Sequence, residues 1–289
     1  MTSSLGDLLE LLDLEPLETN LFRGQSPQEG WQRVFGGQVL GQALTAAGRT
    51  VETGLAHSFH AYFLRPGEVG RPILYQVDRT RDGRSFTTRR VTAIQHGRAI
   101  FHLEASFHRE ERGPEHQIAM PEVPGPEGLA RWEERLRPLA ERMGEGAAWF
   151  LRKRPIDIRH VTDLDPVKPG KLPPRLDLWI RVDGELPDDP ALHQCMVAYA
   201  SDMTLLDATG LPHAMDAIAT GYQLASLDHA MWFHGRFRAD EWLLYSEESP
   251  IARGARGFAT GRLFTRDGRL VVSVVQEGLL RPEHARKPA

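Results

Sequence analysis

Three polar residues in the second half of the chain have side chains that together could activate a water molecule. Asp202 lies near the end of a helical stretch, Ser226 begins a β-like run, and Gln276 follows the apolar run 270–275. A carboxylate can act as a general base toward water, while a hydroxyl and an amide can hold that water in place. These residue types therefore fit hydrolysis without a covalent intermediate.

Each of the three residues also has an ordinary structural interpretation when it is taken singly. An aspartate near a helix end is often solvated, a serine before a strand is often a turn residue, and a glutamine at a strand end is often exposed. Gln276, however, shares a face with Val272 and Val274 by the period of two in a strand. If that face is buried, the Gln276 amide needs hydrogen-bond partners inside the protein.

The chain repeats itself, and the repeat indicates how these residues are positioned. Four blocks of the first half recur in the same order in the second half, at offsets between 169 and 172 residues: 55–61 with 224–230, 73–75 with 243–245, 84–91 with 256–263, and 97–98 with 268–269. Because the period is as long as a domain, we expect two fused like domains rather than a solenoid.

The same alignment confines the polar set to one copy of the repeat. The first half has other residue types at the matching places, and the correspondences are Ser226 with His57, Gln276 with Ala105 and, roughly, Asp202 with Gln42. A duplicated fold needs a single working site. We therefore expect the chemistry to reside in the second half.

Each half combines one helix with several strands. A small-residue helix follows Gly36-Gly37 in the first half, and a second helix over 191–203 follows the start signal Asp189-Pro190. Strands are expected at 59–64, 73–80, 85–95 and 99–107, and again at 227–234, 242–248, 257–265 and 270–277. This order is typical of the α+β class. We expect one unit at 1–117, a linker with a helix at 118–155, and a second unit at 156–289.

Composition and charge exclude several classes of protein. The net charge of −4 and the pI near 6.3 give no electrostatic footprint for nucleic acid. No apolar run approaches the roughly 20 residues that span a bilayer, and no basic stretch followed by an apolar one predicts a signal peptide. A single cysteine, Cys195, fits a reducing compartment, so we expect a cytoplasmic protein.

Long motifs spread over nearly the whole chain resemble the acyl-CoA thioesterase II family, in which two hot-dog domains are fused. The motifs that carry the resemblance are LFRGQ at 21–25, VFGGQV at 34–39, HSFHAYFLRPG at 57–67, YASD at 199–202, DHAMWFH at 228–234 and VQEG at 275–278. The resemblance implies a double hot-dog fold, in which each unit wraps an antiparallel sheet around a central helix.

The resemblance also implies an activity and its residues. Members hydrolyse acyl-CoA thioesters to a free acid and CoA, and the acid, hydroxyl and amide of the family site fall on Asp202, Ser226 and Gln276. Bacterial relatives often have threonine at the Ser226 position. We expect no metal and no cofactor, acyl-CoA as the partner, and a homodimer or homotetramer of the fused chain.

Further parts of the site are expected on chemical grounds. The backbone amides of Gly37 and Gln38, at the start of the first helix, could stabilise an oxyanion because amides there lack partners inside the helix. The phosphates of CoA need cations, and an acyl chain needs an apolar slot. Candidates for the cations are Arg65, Arg89, Arg90 and Arg262, and candidates for the slot are Met231, Trp232 and Phe233.

Alternatives to a thioesterase remain open from the sequence. A serine hydrolase would need a Gly-x-Ser-x-Gly motif, which the chain lacks. A metal hydrolase could recruit His57 and His60, or His229 and His234, but His57 and His60 would face opposite sides of a strand, and the chain has no His-Glu-x-x-His motif. A non-catalytic acyl-CoA binding protein is the main non-enzyme alternative, since a fold does not fix a function. A hydratase or dehydratase on the same fold would be expected to have a His-Asp site.

Overall fold

The computed structural model describes residues 4–27, 33–143, 154–215 and 221–282. Residues 144–153, within the linker expected at 118–155, and the last residues of the second unit, 283–289, lie outside this part. The helices are α1 Leu5–Leu12, α2 Gly36–Gly48, α3 Trp132–Arg135, α4 Arg137–Met143, α5 Pro190–Ser201 and α6 Asp207–Gly210. Short 3₁₀ turns lie at Pro126–Gly128 and Leu211–His213.

The strands form a single antiparallel sheet within the described residues. They are β1 Glu15–Glu18, β2 Leu21–Gly24, β3 Leu55–Phe63, β4 Ile73–Asp82, β5 Phe86–Gln95, β6 Arg98–His108, β7 Ile156–His160, β8 Arg175–Val182, β9 Tyr222–Ser226, β10 Asp228–Phe233, β11 Leu243–Arg253, β12 Arg256–Thr265 and β13 Leu270–Pro282. Their order is β1-β2-β4-β5-β6-β3-β10-β13-β12-β11-β8-β7, and β9 also pairs with β13.

The strand order shows the duplication directly. On either side of the β3–β10 junction, strands succeed one another in the same pattern, so that β6, β5 and β4 match β13, β12 and β11. The junction is antiparallel, with Phe59 opposite Met231 and Ala61 opposite His229. The two halves therefore share one continuous sheet, and the expected α+β architecture is confirmed.

The two long helices, α2 and α5, are covered by this sheet and pack against each other. Nearly every residue of α2 from Gly37 to Ala47 is buried, as are most residues of α5. A Cβ atom built on Gly41 would lie 3.2 Å from the Cys195 carbonyl oxygen, and one on Gly37 would overlap the Tyr199 carbonyl. Glycine at these positions allows the helix backbones to approach closely.

Residues that signal helix starts behave as the sequence predicts. The Asp189 carboxylate accepts a hydrogen bond from the Ala191 amide at 3.0 Å, and Pro190 occupies the first turn of α5. In the linker, the expected single helix is instead two short helices, α3 and α4, with Leu136 buried between them. No helix in the described part of the chain is long and apolar enough to cross a membrane.

The strand register corrects one correspondence of the sequence alignment. In the first half Ala56 pairs with Phe107, and the pairing skips His57 before it resumes at Ser58. In the second half Ser226 pairs with Gly278 and ends β9, and the break falls on Leu227 before β10 begins. His57 therefore corresponds to Leu227, and Ser226 corresponds to Ala56. The sequence alignment matched Ser226 with His57 and placed Ser226 at the start of a strand. This correspondence is wrong by one residue, because a simple alignment does not show a β-bulge.

Candidate active site

Asp202 caps the C-terminus of α5, in the turn that leaves the helix. Its side chain is buried at this position and is only 4% exposed. From β11, the Tyr245 hydroxyl donates a hydrogen bond to the Ser201 carbonyl at 3.2 Å. The residue before the aspartate is thus anchored to the sheet, and this anchor fixes where the carboxylate points.

The structure brings the three residues predicted from the sequence together. The Gln276 amide, Nε2, donates to Asp202 Oδ1 at 2.6 Å, and the Ser226 hydroxyl donates to the same oxygen at 3.1 Å. Gln276 faces inward with Val272 and Val274, as the period of two predicts, and it is fully buried. Its counterpart is Ala105, which occupies the matching register position in the first half. One carboxylate oxygen therefore meets a hydroxyl and an amide side by side.

Burial controls the protonation of Asp202. Desolvation raises the pKa of its carboxyl group from 3.8 to about 6. The hydrogen bonds from Gln276, Ser226 and the Gly37 amide oppose this rise, as does the positive charge of Arg33. A carboxylate with a pKa near 6 is still ionised at neutral pH, and it is a better proton acceptor than an ordinary aspartate.

The first unit supplies the opposite wall of the site. A Cβ atom on Gly36 would lie 2.5 Å from Asp202 Oδ2, so this position tolerates no side chain. The Gly37 amide lies close enough to the Asp202 carboxylate to lower its pKa. Of the two amides expected to bind an oxyanion, Gly37 therefore faces the base, while Gln38 lies in the same first turn of α2.

Two residues beside Asp202 were not expected from the sequence. His229, on β10, is fully buried, and its Nδ1 atom lies 3.9 Å from Asp202 Oδ1. Arg33 precedes α2 and donates to the Leu224 carbonyl of β9 at 2.5 Å. It joins the two units next to the site. Sequence reasoning missed Arg33 because it looked for cations only on strands and in the loop after β3. It did not consider the segment before α2.

Several candidates for the CoA and acyl ends have other roles. Arg89 is buried and is held by Asp82 and by the Thr50 hydroxyl, so it is unavailable to a phosphate. Arg65 donates to the Ala99 carbonyl at 2.6 Å, and Arg90 pairs with Glu104, whereas Arg262 lies half-buried on β12.

The three apolar candidates cannot line one slot. Met231 and Phe233 point into the core, whereas Trp232 points to the other face and packs edge-on against His60. The alternation of side chains along a strand separates them. A small cavity of about 60 Å³ is lined by Leu206, Leu224 and Leu280 among others, and Leu224 lies two residues before Ser226 on β9. Leu224 shares the face of Ser226 by the period of two.

Other reactive groups do not converge on this site. Cys195 is buried, and desolvation raises the pKa of its thiol to about 11, as expected of a packing residue. Within the described residues, no group of three or more histidine, cysteine, aspartate or glutamate side chains could hold a metal ion. The site is built from one carboxylate and neutral polar groups.

Two family models and a full-length relative match this chain. Residues 149–279 match the family model described as acyl-CoA thioesterase, and residues 26–108 match the model described as acyl-CoA thioesterase N-terminal domain. Acyl-CoA thioesterase 2 from Haemophilus influenzae is 40% identical over 97% of this chain and 99% of its own length.

Solved structures show the same relationship. The acyl-CoA thioesterase II TesB2 from Mycobacterium marinum is 45% identical, covers 96% of this chain with 99% of its own, and superposes with a TM-score of 0.79. A hot-dog-fold protein of unknown function from Alicyclobacillus acidocaldarius is only 18% identical, yet it covers 97% of this chain with 98% of its own at a TM-score of 0.75. It supports the hot-dog fold alone. From the family models and the relative from Haemophilus influenzae, the chain belongs to the acyl-CoA thioesterase family.

Proposed function

We propose that this chain hydrolyses acyl-CoA thioesters to a free acid and CoA, with Asp202 as the general base and Ser226 and Gln276 as the groups that orient the water. The observation that carries the proposal is the convergence of the hydroxyl and the amide on one oxygen of a buried carboxylate. A water molecule placed between these groups would donate to Asp202 and accept from the second N–H of the Gln276 amide. The Ser226 hydroxyl has one hydrogen, so it would turn from Asp202 to donate to the water.

In the proposed reaction the water attacks the thioester carbonyl carbon while Asp202 removes one of its protons. The carbonyl π electrons move to oxygen and give a tetrahedral oxyanion. When the oxyanion collapses, the carbon–sulfur bond breaks, the sulfur leaves with the electron pair, and the proton held by Asp202 passes to the CoA thiolate. Ser226 and Gln276 contribute by fixing the direction of attack.

The oxyanion requires donors that are in place before the reaction. We assign this role to backbone amides in the first turn of α2, as proposed for Gly37 and Gln38. Because the Gly37 amide faces Asp202, we assign the larger share of this role to Gln38. The proposed site then draws its base from one unit and its oxyanion donor from the other.

The acyl chain is proposed to enter beside Ser226. The leucine-lined cavity there is small, about 60 Å³, so a long chain requires Leu206, Leu224 or Leu280 to move. Replacing Leu224 with alanine should shift the preference of the enzyme toward longer acyl groups. The comparison of kcat/KM across acyl-CoA lengths would show this shift.

A thiol-release assay separates the proposal from its alternatives. With palmitoyl-CoA, a thioesterase releases one free thiol for each acid formed. Tight binding of palmitoyl-CoA without free thiol would favour the acyl-CoA binding protein. Hydration of an enoyl-CoA without thiol release would favour the hydratase or dehydratase, whose expected His-Asp pair is present as His229 and Asp202. The histidine is fully buried, however, which argues against a direct role toward a substrate.

We also propose that the fused chain associates into a homodimer or homotetramer. The outer strands β1 and β7 leave sheet edges that can pair with another copy. Light scattering measures the mass directly. A particle of 32.5 kDa, the mass of one chain, would contradict the proposal.

A further inference from the structure

His229 is the titratable side chain nearest to the base that the proposed reaction leaves unused. It lies on the inward face of β10, is fully buried, and stacks on Phe59 with ring centres 6.1 Å apart. Its Nε2 atom lies 3.0 Å from the Ser201 hydroxyl oxygen. The other ring nitrogen, Nδ1, has no hydrogen-bond partner among the described residues and lies 3.9 Å from Asp202 Oδ1.

The hydrogen bonds of Ser201 determine which ring nitrogen carries the proton. The hydroxyl donates to the Ala198 carbonyl at 3.0 Å, one turn back along α5. A hydroxyl has one hydrogen, so toward His229 it can only accept. We infer from this arrangement that His229 carries its hydrogen on Nε2 and presents the lone pair of Nδ1 to Asp202.

The distance between the two side chains agrees with this tautomer. An N–H group facing a buried carboxylate would draw it to about 2.7–2.9 Å, whereas the observed separation is 3.9 Å. The ring is also uncharged at neutral pH, because burial lowers the pKa of His229 to about 3. The contact is thus neither an ion pair nor a hydrogen bond while Asp202 is ionised.

The first unit shows that packing alone does not require a histidine here. By the strand register, His229 corresponds to Phe59: each lies two residues beyond the break in its strand, at His57 and at Leu227. Both side chains are fully buried. An apolar ring fills the matching place in the unit without a base, whereas the unit with the base has an acceptor atom there.

We propose that His229 is a positioning residue for the hydrolysis, whose Nδ1 accepts a hydrogen bond from the Asp202 carboxyl group once Asp202 has taken a proton from the attacking water. The inference rests on the proposed function. The water O–H bond breaks, the new O–H bond forms on Asp202, and the imidazole neither gains nor loses a proton. When Asp202 returns its proton to the thiolate, the hydrogen bond to Nδ1 is released.

The other charged or titratable groups around Asp202 leave this role to His229. Tyr245 and Glu247 approach from β11, and both have electrostatic interactions in this cluster. Arg33 approaches from the segment before α2, and α2 itself has no titratable side chain. The Tyr245 hydroxyl is engaged with the Ser201 carbonyl, and Arg33 is a donor only.

Three substitutions of His229 distinguish positioning of Asp202 from support of Ser201. His229→Phe copies Phe59, and we expect it to keep the fold while kcat falls about tenfold and KM changes less than about twofold. His229→Asn places an amide near the former Nδ1, whereas His229→Gln places one near the former Nε2. We expect the asparagine variant to retain more kcat than the glutamine variant.

A fourth substitution tests the tautomer. Ser201→Ala removes the acceptor of the Nε2 hydrogen, so the ring can instead present Nδ1–H to the ionised carboxylate. We expect the acidic limb of the kcat profile to move to lower pH, because the charged form of Asp202 gains a donor. An unmoved limb would contradict the assignment.

The kcat of each His229 variant is measured with palmitoyl-CoA, with Asp202→Asn as a reference variant in the same assay. Wild-type kcat in His229→Phe, or a glutamine variant at least as active as the asparagine variant, overturns the role of His229. If the phenylalanine variant fails to fold in thermal unfolding, the comparison of asparagine with glutamine still decides. Failure of the proposed function gives a different result. The wild type would then release no thiol from palmitoyl-CoA, or Asp202→Asn would keep the wild-type kcat.

Discussion

The two units of this protein share a backbone plan, yet they differ at the few positions that could perform chemistry. In the second unit a serine and a glutamine surround the carboxylate, whereas the first unit has alanine at both matching positions, Ala56 and Ala105. The shared strand arrangement places these positions at matching points of the sheet in both units, whichever side chains occupy them. In the proposed mechanism, the activity therefore depends on side chains that one copy of the repeat lacks, rather than on the fold.

Removing the charge of the base should have the largest effect. Asp202→Asn keeps an acceptor for Gln276 and Ser226 but cannot take a proton, so we expect kcat to fall by about 10²–10⁴-fold. The same variant should be more stable at neutral pH. Burial raises the folded pKa to about 6, so stability is lost as pH rises from 3.8 to about 6, by at most about 3 kcal/mol. Steady-state assays and thermal unfolding measure both effects. A variant with wild-type kcat would remove Asp202 from the reaction.

Converting the second unit toward the first sharpens the comparison. Gln276→Ala copies Ala105, and we expect kcat to fall about 10²-fold because a buried donor is lost. Ser226→Ala copies Ala56 and should cost about tenfold. Ser226→Thr, which keeps the hydroxyl, is the matched control and should remain active. If both alanine variants equal the wild type, the difference between the units has no catalytic meaning.

A smaller effect is expected from the cation that bridges the units. Because the charge of Arg33 lowers the pKa of Asp202, Arg33→Gln should raise it. The base must be ionised to act, so the acidic limb of kcat/KM, expected near pH 6 in the wild type, should move to higher pH. Arg33→Lys keeps the charge and should move the limb less. A shift to lower pH would show that Arg33 acts through another group.

The smallest effect on activity is expected at Glu247, which matches Val77 in the first unit by strand register. Glu247 is fully buried, accepts from the Thr204 hydroxyl at 2.5 Å, and has a pKa raised well above its usual range by desolvation. Its folded pKa exceeds its unfolded pKa, so stability is lost as pH rises above about 4.5.

Glu247→Gln removes this titration but can still accept from Thr204. We expect kcat to be unchanged and stability at pH 8 to exceed that of the wild type. Thermal unfolding from pH 5 to pH 9 would show a flatter pH dependence in the variant. Equal slopes in the two proteins would mean that Glu247 does not titrate differently in the folded state.

The sequence predicted the fold, and it singled out three residues that lie together in the structure, because both depend on patterns along the chain. Turn residues and alternation located most strands, and the asymmetry between repeats selected Asp202, Ser226 and Gln276. The role of Gly36 was not predictable, because it depends on an approach between residues far apart in the chain. Arg89 was misassigned for a similar reason, since nothing local shows that Asp82 and Thr50 enclose it.

The alignment also concealed the most informative difference between the units. At an offset of 169 residues, His229 matches His60, so the comparison of the repeats shows no difference there, and His229 was considered only as a metal ligand. The register places Phe59 opposite His229 instead, because the bulge at His57 shifts the comparison by one residue. In a strand, a shift of one residue exchanges the inner face for the outer. Hydrogen-bond register, rather than sequence similarity, is therefore needed to compare such sites.

The two glycines at the start of α2 determine how closely this helix approaches the Asp202 carboxylate and the end of α5. Gly36 leaves no room for a methyl group beside the Asp202 carboxylate, and Gly37 leaves none beside the Tyr199 carbonyl. The distance between the base and the opposing amides is thus set by contact between two backbones with no side chain between them. Two chain segments can come no closer than this. A single added carbon at position 37 would push against the Tyr199 backbone and increase that distance without touching any catalytic side chain, whereas one at position 36 would press on the Asp202 carboxylate itself.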